Sequence, residues 1–116
     1  MLAPNLEKVR IYLRPGPTDM RKQINALAVL VEQELELDPF SEAVFLFCNC
    51  ERRMLKALYW DANGFALWCK RLEKHRFPWP RSGEQVQTLE VEQLRMLLRG
   101  IDFFNAHERL HYRQVS

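Results

Sequence analysis

Residues 54–72 read as two alternating runs, MLKALYW and FALWCKRL, on either side of Asp61-Ala62-Asn63-Gly64. In the first run Leu55, Ala57 and Tyr59 fall on one side, while Lys56, Leu58 and Trp60 fall on the other. That is the two-residue period of a β-strand. Asp at the first and Gly at the fourth turn position suit a type I turn closed by a bulged glycine. Asn63-Gly64 alone suits a two-residue type I′ turn. Either turn makes the two runs an antiparallel hairpin, with Trp68 opposite or near Tyr59. The rest of the chain has to be arranged around this ribbon.

In front of it, residues 44–48 are a continuous apolar run, as in a strand covered on both faces. Earlier still, the β-branched and aromatic run at residues 9–13 predicts a strand that ends at Arg14-Pro15-Gly16-Pro17, a strong turn signal. Thr18 or Asp19 then caps a helix. Met20, Ile24, Leu27, Ala28, Val31 and Leu35 form its apolar face, and Asp38-Pro39 ends it. Behind the ribbon, Phe77-Pro78-Trp79-Pro80 is too proline-bound for a central strand and lies at an edge or across the sheet. Thr88 caps a second helix over residues 89–99. Its buried stripe is Leu94, Leu97 and Leu98, and Gly100 is its natural stop. The expected order is β-α-β-β-β-(β)-α: an α+β domain with a small antiparallel sheet of three to five strands packed by two helices on one face. Residues 1–102 form the single domain, and residues 103–116 a tail that includes a short helix at most.

A chain of 116 residues, 47% of them hydrophobic, buries a sizeable core as one domain. The start MLAPNLEKVR has no apolar signal core, and no apolar run reaches ~18 residues, so no membrane span is expected. Three cysteines fit a reduced, cytoplasmic protein. The net charge of +2 is uninformative, but its distribution is not: residues 51–81 carry eight cations and three acids, whereas the segments before and after are mildly acidic. That is the footprint of a polyanion-binding face, although a solvated structural ribbon looks similar.

Several constellations bear on chemistry. Arg52, Arg53, Lys56, Lys70, Arg71, Lys74 and Arg76 interleave with Tyr59, Trp60 and Trp68. A ribbon of this composition neutralises phosphates with its cations and stacks bases on its aromatics, or it offers the same face to a protein partner. Arg14, Arg21 and Lys22, with the free N–H groups of the first helix, are a candidate anion site. His107-Glu108-Arg109-Leu110-His111 matches the zincin pattern H-E-x-x-H, yet no third ligand follows it. Cys48, Cys50, Cys69 and His75 lack the paired spacing of zinc ribbons. Asp19, Asp38, Asp61 and Asp102 sit at turns and helix ends, where capping accounts for them. No cofactor, metal or catalytic residue is expected.

Several strings together resemble a known family: Asp19-Met20-Arg21-Lys22, Asp38-Pro39-Phe40, Lys56-x-Leu58-Tyr59-Trp60-Asp61-x-Asn63-Gly64-Phe65-x-Leu67-Trp68, Lys70-Arg71-Leu72-Glu73, Arg76-Phe77-x-Trp79-Pro80 and Leu94-x-x-Leu97-Leu98-x-Gly100-Ile101-Asp102. The chain resembles the small TnpB-type accessory protein, the second open reading frame, of the bacterial insertion-sequence family sixty-six, over about residues 8–102. Such proteins share only a name with the RNA-guided TnpB nucleases. The resemblance implies a non-catalytic protein encoded beside a larger acidic-triad transposase and assisting transposition. It assigns no activity to particular residues. The sequence departs from the family pattern at Gln23 and His75, where glycine is usual, and at Cys48 and Cys50, where arginine is frequent. The resulting expectation is an accessory factor that binds DNA, the transposase, or both through the ribbon. The alternative is a purely protein-binding adaptor, with a zinc hydrolase at the tail a remote third. The oligomeric state is open.

Overall fold

The computed structural model describes residues 5–103. Seven elements follow in order: β1 (Arg10–Leu13), α1 (Ile24–Gln33), β2 (Ala43–Cys48), β3 (Met54–Asp61), β4 (Gly64–Arg71), β5 (Gln87–Leu89) and α2 (Val91–Leu98). They form a small α+β fold around one five-stranded sheet in the order β4-β3-β2-β1-β5. The hairpin is present with Asp61 paired to Gly64, so its loop is Ala62-Asn63. The left-handed residue is Ala62, at φ 54°, rather than a glycine. The turn is therefore neither of the two forms expected.

The sheet is mixed. β1 and β2 run parallel and the other neighbours antiparallel. The cause is α1: a strand joined to its neighbour through a helix returns in the same direction. β5 pairs with β1 over only three residues and carries no alternation to announce it. It takes the position left open by the proline-bound segment, which crosses the sheet instead.

The helices lie on opposite faces, not on one. Leu27, Leu30 and Val31 of α1 pack on Phe45, Phe47 and Leu58. Leu94 and Leu97 of α2, with Phe77, pack on Ile11, Leu13, Val44, Leu46, Leu55, Ala57 and Tyr59. Every residue of β2 is buried, as its unbroken apolar run requires.

Both helices start later than capping residues suggested. α1 begins at Ile24, with Gln23 at its N-cap making no side-chain cap. The chain before it is committed elsewhere: an Asp19 carboxylate oxygen accepts from the Arg21 backbone N–H at 2.9 Å. The Met20 and Lys22 carbonyls accept from Lys56 Nζ. α1 also ends early, at Gln33, where Glu36 at φ 56° lets the Leu37 N–H reach the Val31 carbonyl at 3.1 Å. Thr88 belongs to β5, and α2 is capped from Glu90, whose N–H donates to Gln93 Oε1 at 2.9 Å. Gly100 ends α2 as expected, with φ 76°.

Candidate functional site

The carboxyl ends of the two parallel strands, β1 and β2, open toward the same end of the sheet. In open sheets with parallel strands that end is where ligands collect. Three pieces of chain meet there. The turn after β1 is Arg14-Pro15-Gly16-Pro17. The turn after β2 is held by Asn49 Oδ1, which accepts from the Arg53 and Met54 N–H groups at 2.9 and 3.1 Å. The third is the segment over residues 72–82.

Backbone bonds tie this third piece to the other two. Leu72 and Phe77 N–H groups donate to the Arg53 and Arg52 carbonyls at 2.8 and 2.7 Å. The Gly16 N–H donates to the Pro80 carbonyl at 2.9 Å, and Trp79 Nε1 to the Arg14 carbonyl at 2.8 Å. A Cβ on Gly16 would stand 2.5 Å from Ser82 Oγ, and its φ is 77°. Glycine is thus required for the approach. Between these pieces lies an open cleft of about 400 Å³, lined by Gly16, Pro17, Asn49, Cys50, Arg52, Trp79, Pro80, Arg81 and Ser82. It combines an indole with two exposed arginines, Arg52 and Arg81.

The predicted contact residues divide. Arg52 lines the cleft. Arg53, Arg71, Lys74 and Arg76 lie at the same end, because Met54 pairs with Arg71 and the chain passes from there into the crossing segment. Arg71 is well exposed and only loosely paired, its Nε 3.8 Å from Glu73 Oε1.

Lys56 and Tyr59 are corrected: both are 6% exposed, because helices cover both faces of the sheet. Lys56 serves the loop before α1, and burial pushes the Tyr59 hydroxyl up, with Asp61 adding to the shift. Trp68 packs against the α2 core, and Lys70 Nζ donates to the Leu98 carbonyl at 2.8 Å, at the negative end of α2. Trp60 lies at the far end of the sheet. There its ring stands 5.1 Å from Phe40 and 5.0 Å from Phe65. The ribbon therefore does not present one basic-aromatic face.

The candidate anion site around α1 is also disassembled. Arg14 donates to the Pro17 carbonyl, the Thr18 hydroxyl and Glu34 Oε2, the last at 2.7 Å. Arg21 is paired with Asp19 at 2.7 Å, and its side-chain and backbone hydrogen bonds hold the Asp19 carboxyl down at about 2. Only Lys22 of the three has an exposed side chain with no ion pair described. The thiols are separated: Cys48 is buried on the α2 face, where burial pushes it up to about 12, and Cys50 and Cys69 are exposed. Among the described residues no group of His, Cys, Asp and Glu could hold a metal. His107 and His111 lie outside the described residues. No described helix is long and apolar enough to cross a membrane.

The cleft itself went unrecognised in the sequence, although its signal is present in the two proline-bound strings at residues 14–17 and 77–80. Each breaks regular structure, and each is held still by the other.

A small mixed-sheet α+β domain with a basic cleft at its parallel-strand end is the class that fold and site define. The family described as "IS66 Orf2 like protein" matches residues 9–108, and the chain belongs to it. This is a family of insertion-sequence accessory proteins. The chain is 34% identical over 107 residues to uncharacterised protein y4hO of Sinorhizobium fredii, covering 92% of this chain and 93% of that protein. It is 31% identical over 105 residues to uncharacterised protein y4jC of the same organism, covering 89% and 87%. No solved structure matches it.

Proposed function

We propose that this protein assists transposition of its element without catalysis of its own, by holding DNA at the basic end of the sheet. The observation that carries this reading is the grouping of Arg52, Arg53, Arg71, Lys74, Arg76 and Arg81 at one end of the sheet, where Arg52 and Arg81 line a cleft together with Trp79. Guanidinium and ammonium groups neutralise phosphates whatever the sequence, and the half-buried Trp79 indole at the cleft is of the type that stacks on an unpaired base. The hydrogen bonds that sew residues 72–82 to the two turns support it further, since a fixed site binds at lower entropic cost.

The test is fluorescence anisotropy with duplex and single-stranded DNA from the element ends, over a range of salt. With about five phosphates engaged, log K should fall with log salt at a slope of roughly −4 to −5. Arg52→Glu with Arg81→Glu should flatten that slope and weaken binding. Binding that ignores salt, or that survives both reversals, rejects this reading.

The aromatic group at the opposite end favours a second reading, the transposase as partner. Phe40 is 56% exposed and packs edge-on against Trp60 and at a tilt against Phe65. Exposed aromatics of this kind anchor protein interfaces. Retention of the transposase by the wild type but not by Phe40→Ala, in nuclease-treated lysate, supports this use of the surface.

A further inference from the structure

β4 stands at the edge of the sheet, and among the described residues no strand pairs with its outer side. It is eight residues long, pairs with β3 without a bulge, and contains no proline. Lysines commonly guard such edges, but Lys70 is turned back onto the Leu98 carbonyl. The hydrogen-bond parity of the edge is fixed. Leu72 N–H donates to the Arg53 carbonyl, so the even-numbered residues of β4 point at β3. Phe65, Leu67, Cys69 and Arg71 therefore direct their N–H and C=O groups outward.

We infer that β4 pairs antiparallel with β4 of a second copy, about a dyad at Trp68, joining two sheets into one. This register sets Phe65 opposite Arg71 and Leu67 opposite Cys69, and so satisfies all four outward residues at once. A shift of two residues in either direction leaves one of them without a partner. The register also places a guanidinium beside a phenyl ring, a cation–π pair. Charge favours it as well: the Asp61 end of one hairpin runs alongside the Arg71 and Lys74 end of the other. A parallel pairing would instead set Lys70 and Arg71 against themselves. The edge does not include the cleft residues Arg52 and Arg81 but shares Arg71 with the proposed DNA-contacting group, so the inference is tested on self-association without DNA.

The experiment is sedimentation equilibrium of the full chain, joined to thiol cross-linking. A species of twice the 13.9 kDa chain mass is expected, with a concentration-dependent population. Cys69→Pro removes an outward N–H that β3 does not use, and should weaken association by about tenfold or more. Cross-linking does not depend on that variant folding. In a Cys50→Ser background the two Cys69 residues are diagonal neighbours about 7–8 Å apart, and a short bismaleimide should join them into a covalent dimer. Adding Cys69→Ser should abolish the product. A monomer at all concentrations overturns the inference, as does a dimer that Cys69 neither cross-links nor weakens.

Discussion

Lys56 Nζ donates to the Met20 carbonyl at 2.7 Å and to the Lys22 carbonyl at 2.9 Å, across 36 and 34 positions of chain. A buried ammonium on β3 thus does the work of a cap for the loop that leads into α1. Replacing it with methionine keeps the apolar stem and leaves two carbonyls without their donor. The expected cost is about 2–6 kcal/mol, from roughly 1–3 per unsatisfied group. Urea denaturation followed by circular dichroism measures it, and a change under 1 kcal/mol would show that water replaces the lysine.

Gly16 and Ser82 make a second pair whose spacing is testable. Gly16→Ala meets both a left-handed φ of 77° and a contact of 2.5 Å with Ser82 Oγ. A loss of about 2–3 kcal/mol is expected from strain and overlap together. Ser82→Gly in the same chain should recover the part due to overlap with the serine side chain and leave the strain at φ and the 3.0 Å approach to the residue 82 Cα. Equal stability of the single and double variants would refute the contact.

Four described non-glycine residues, Glu36, Arg52, Ala62 and His75, hold backbone conformations that glycine accepts freely, and two of them lie outside both the cleft and the hairpin turn. Glu36 has φ 56° and His75 has φ 46°. Glu36→Gly and His75→Gly should each stabilise the fold by about 0.5–1 kcal/mol, the strain relieved exceeding the chain entropy added. The two sites lie in different connecting segments, one after α1 and one after β4, so their effects should add in thermal unfolding.

Asp19 gives the fold an acid sensitivity. Arg21 holds its carboxyl at about 2 in the folded chain, below the ordinary 3.8. A depressed carboxyl stabilises the folded state above pH 3.8, and that stabilisation is lost as pH falls through about 2. Urea midpoints of the wild type and Asp19→Asn should therefore differ most at pH 5 and above and converge toward pH 2. A difference that is constant with pH would assign the effect to hydrogen bonding alone.

Cys50 lines the cleft beside Arg52, with its side chain exposed. Cys50→Arg adds a third guanidinium there. Affinity for DNA should rise several-fold at low salt, and the salt slope should steepen by about one. Titration at three ionic strengths separates this from a nonspecific gain, which a surface cation elsewhere would mimic. Gln33→Arg at the end of α1 serves as that control.

The local elements were legible because their causes are local. Alternation around Asp61–Gly64 specifies the hairpin, the unbroken apolar run at Ala43–Cys48 specifies a strand buried on both faces, and Gly100 specifies a helix stop. The strings shared with the family were legible too, and they led to the right one. Tertiary structure alone decided the rest. Two amphipathic helices can cover one face of a sheet or both, and their stripes read the same in either case. Placing them on both faces turned Lys56 and Tyr59 inward. A cation in an alternating run looks exposed, because the carbonyls that hold it lie more than thirty residues away. The cleft has the same origin. Arg52, Trp79 and Arg81 become neighbours only when hydrogen bonds from Gly16 to Pro80 and from Trp79 to Arg14 close the distance between segments.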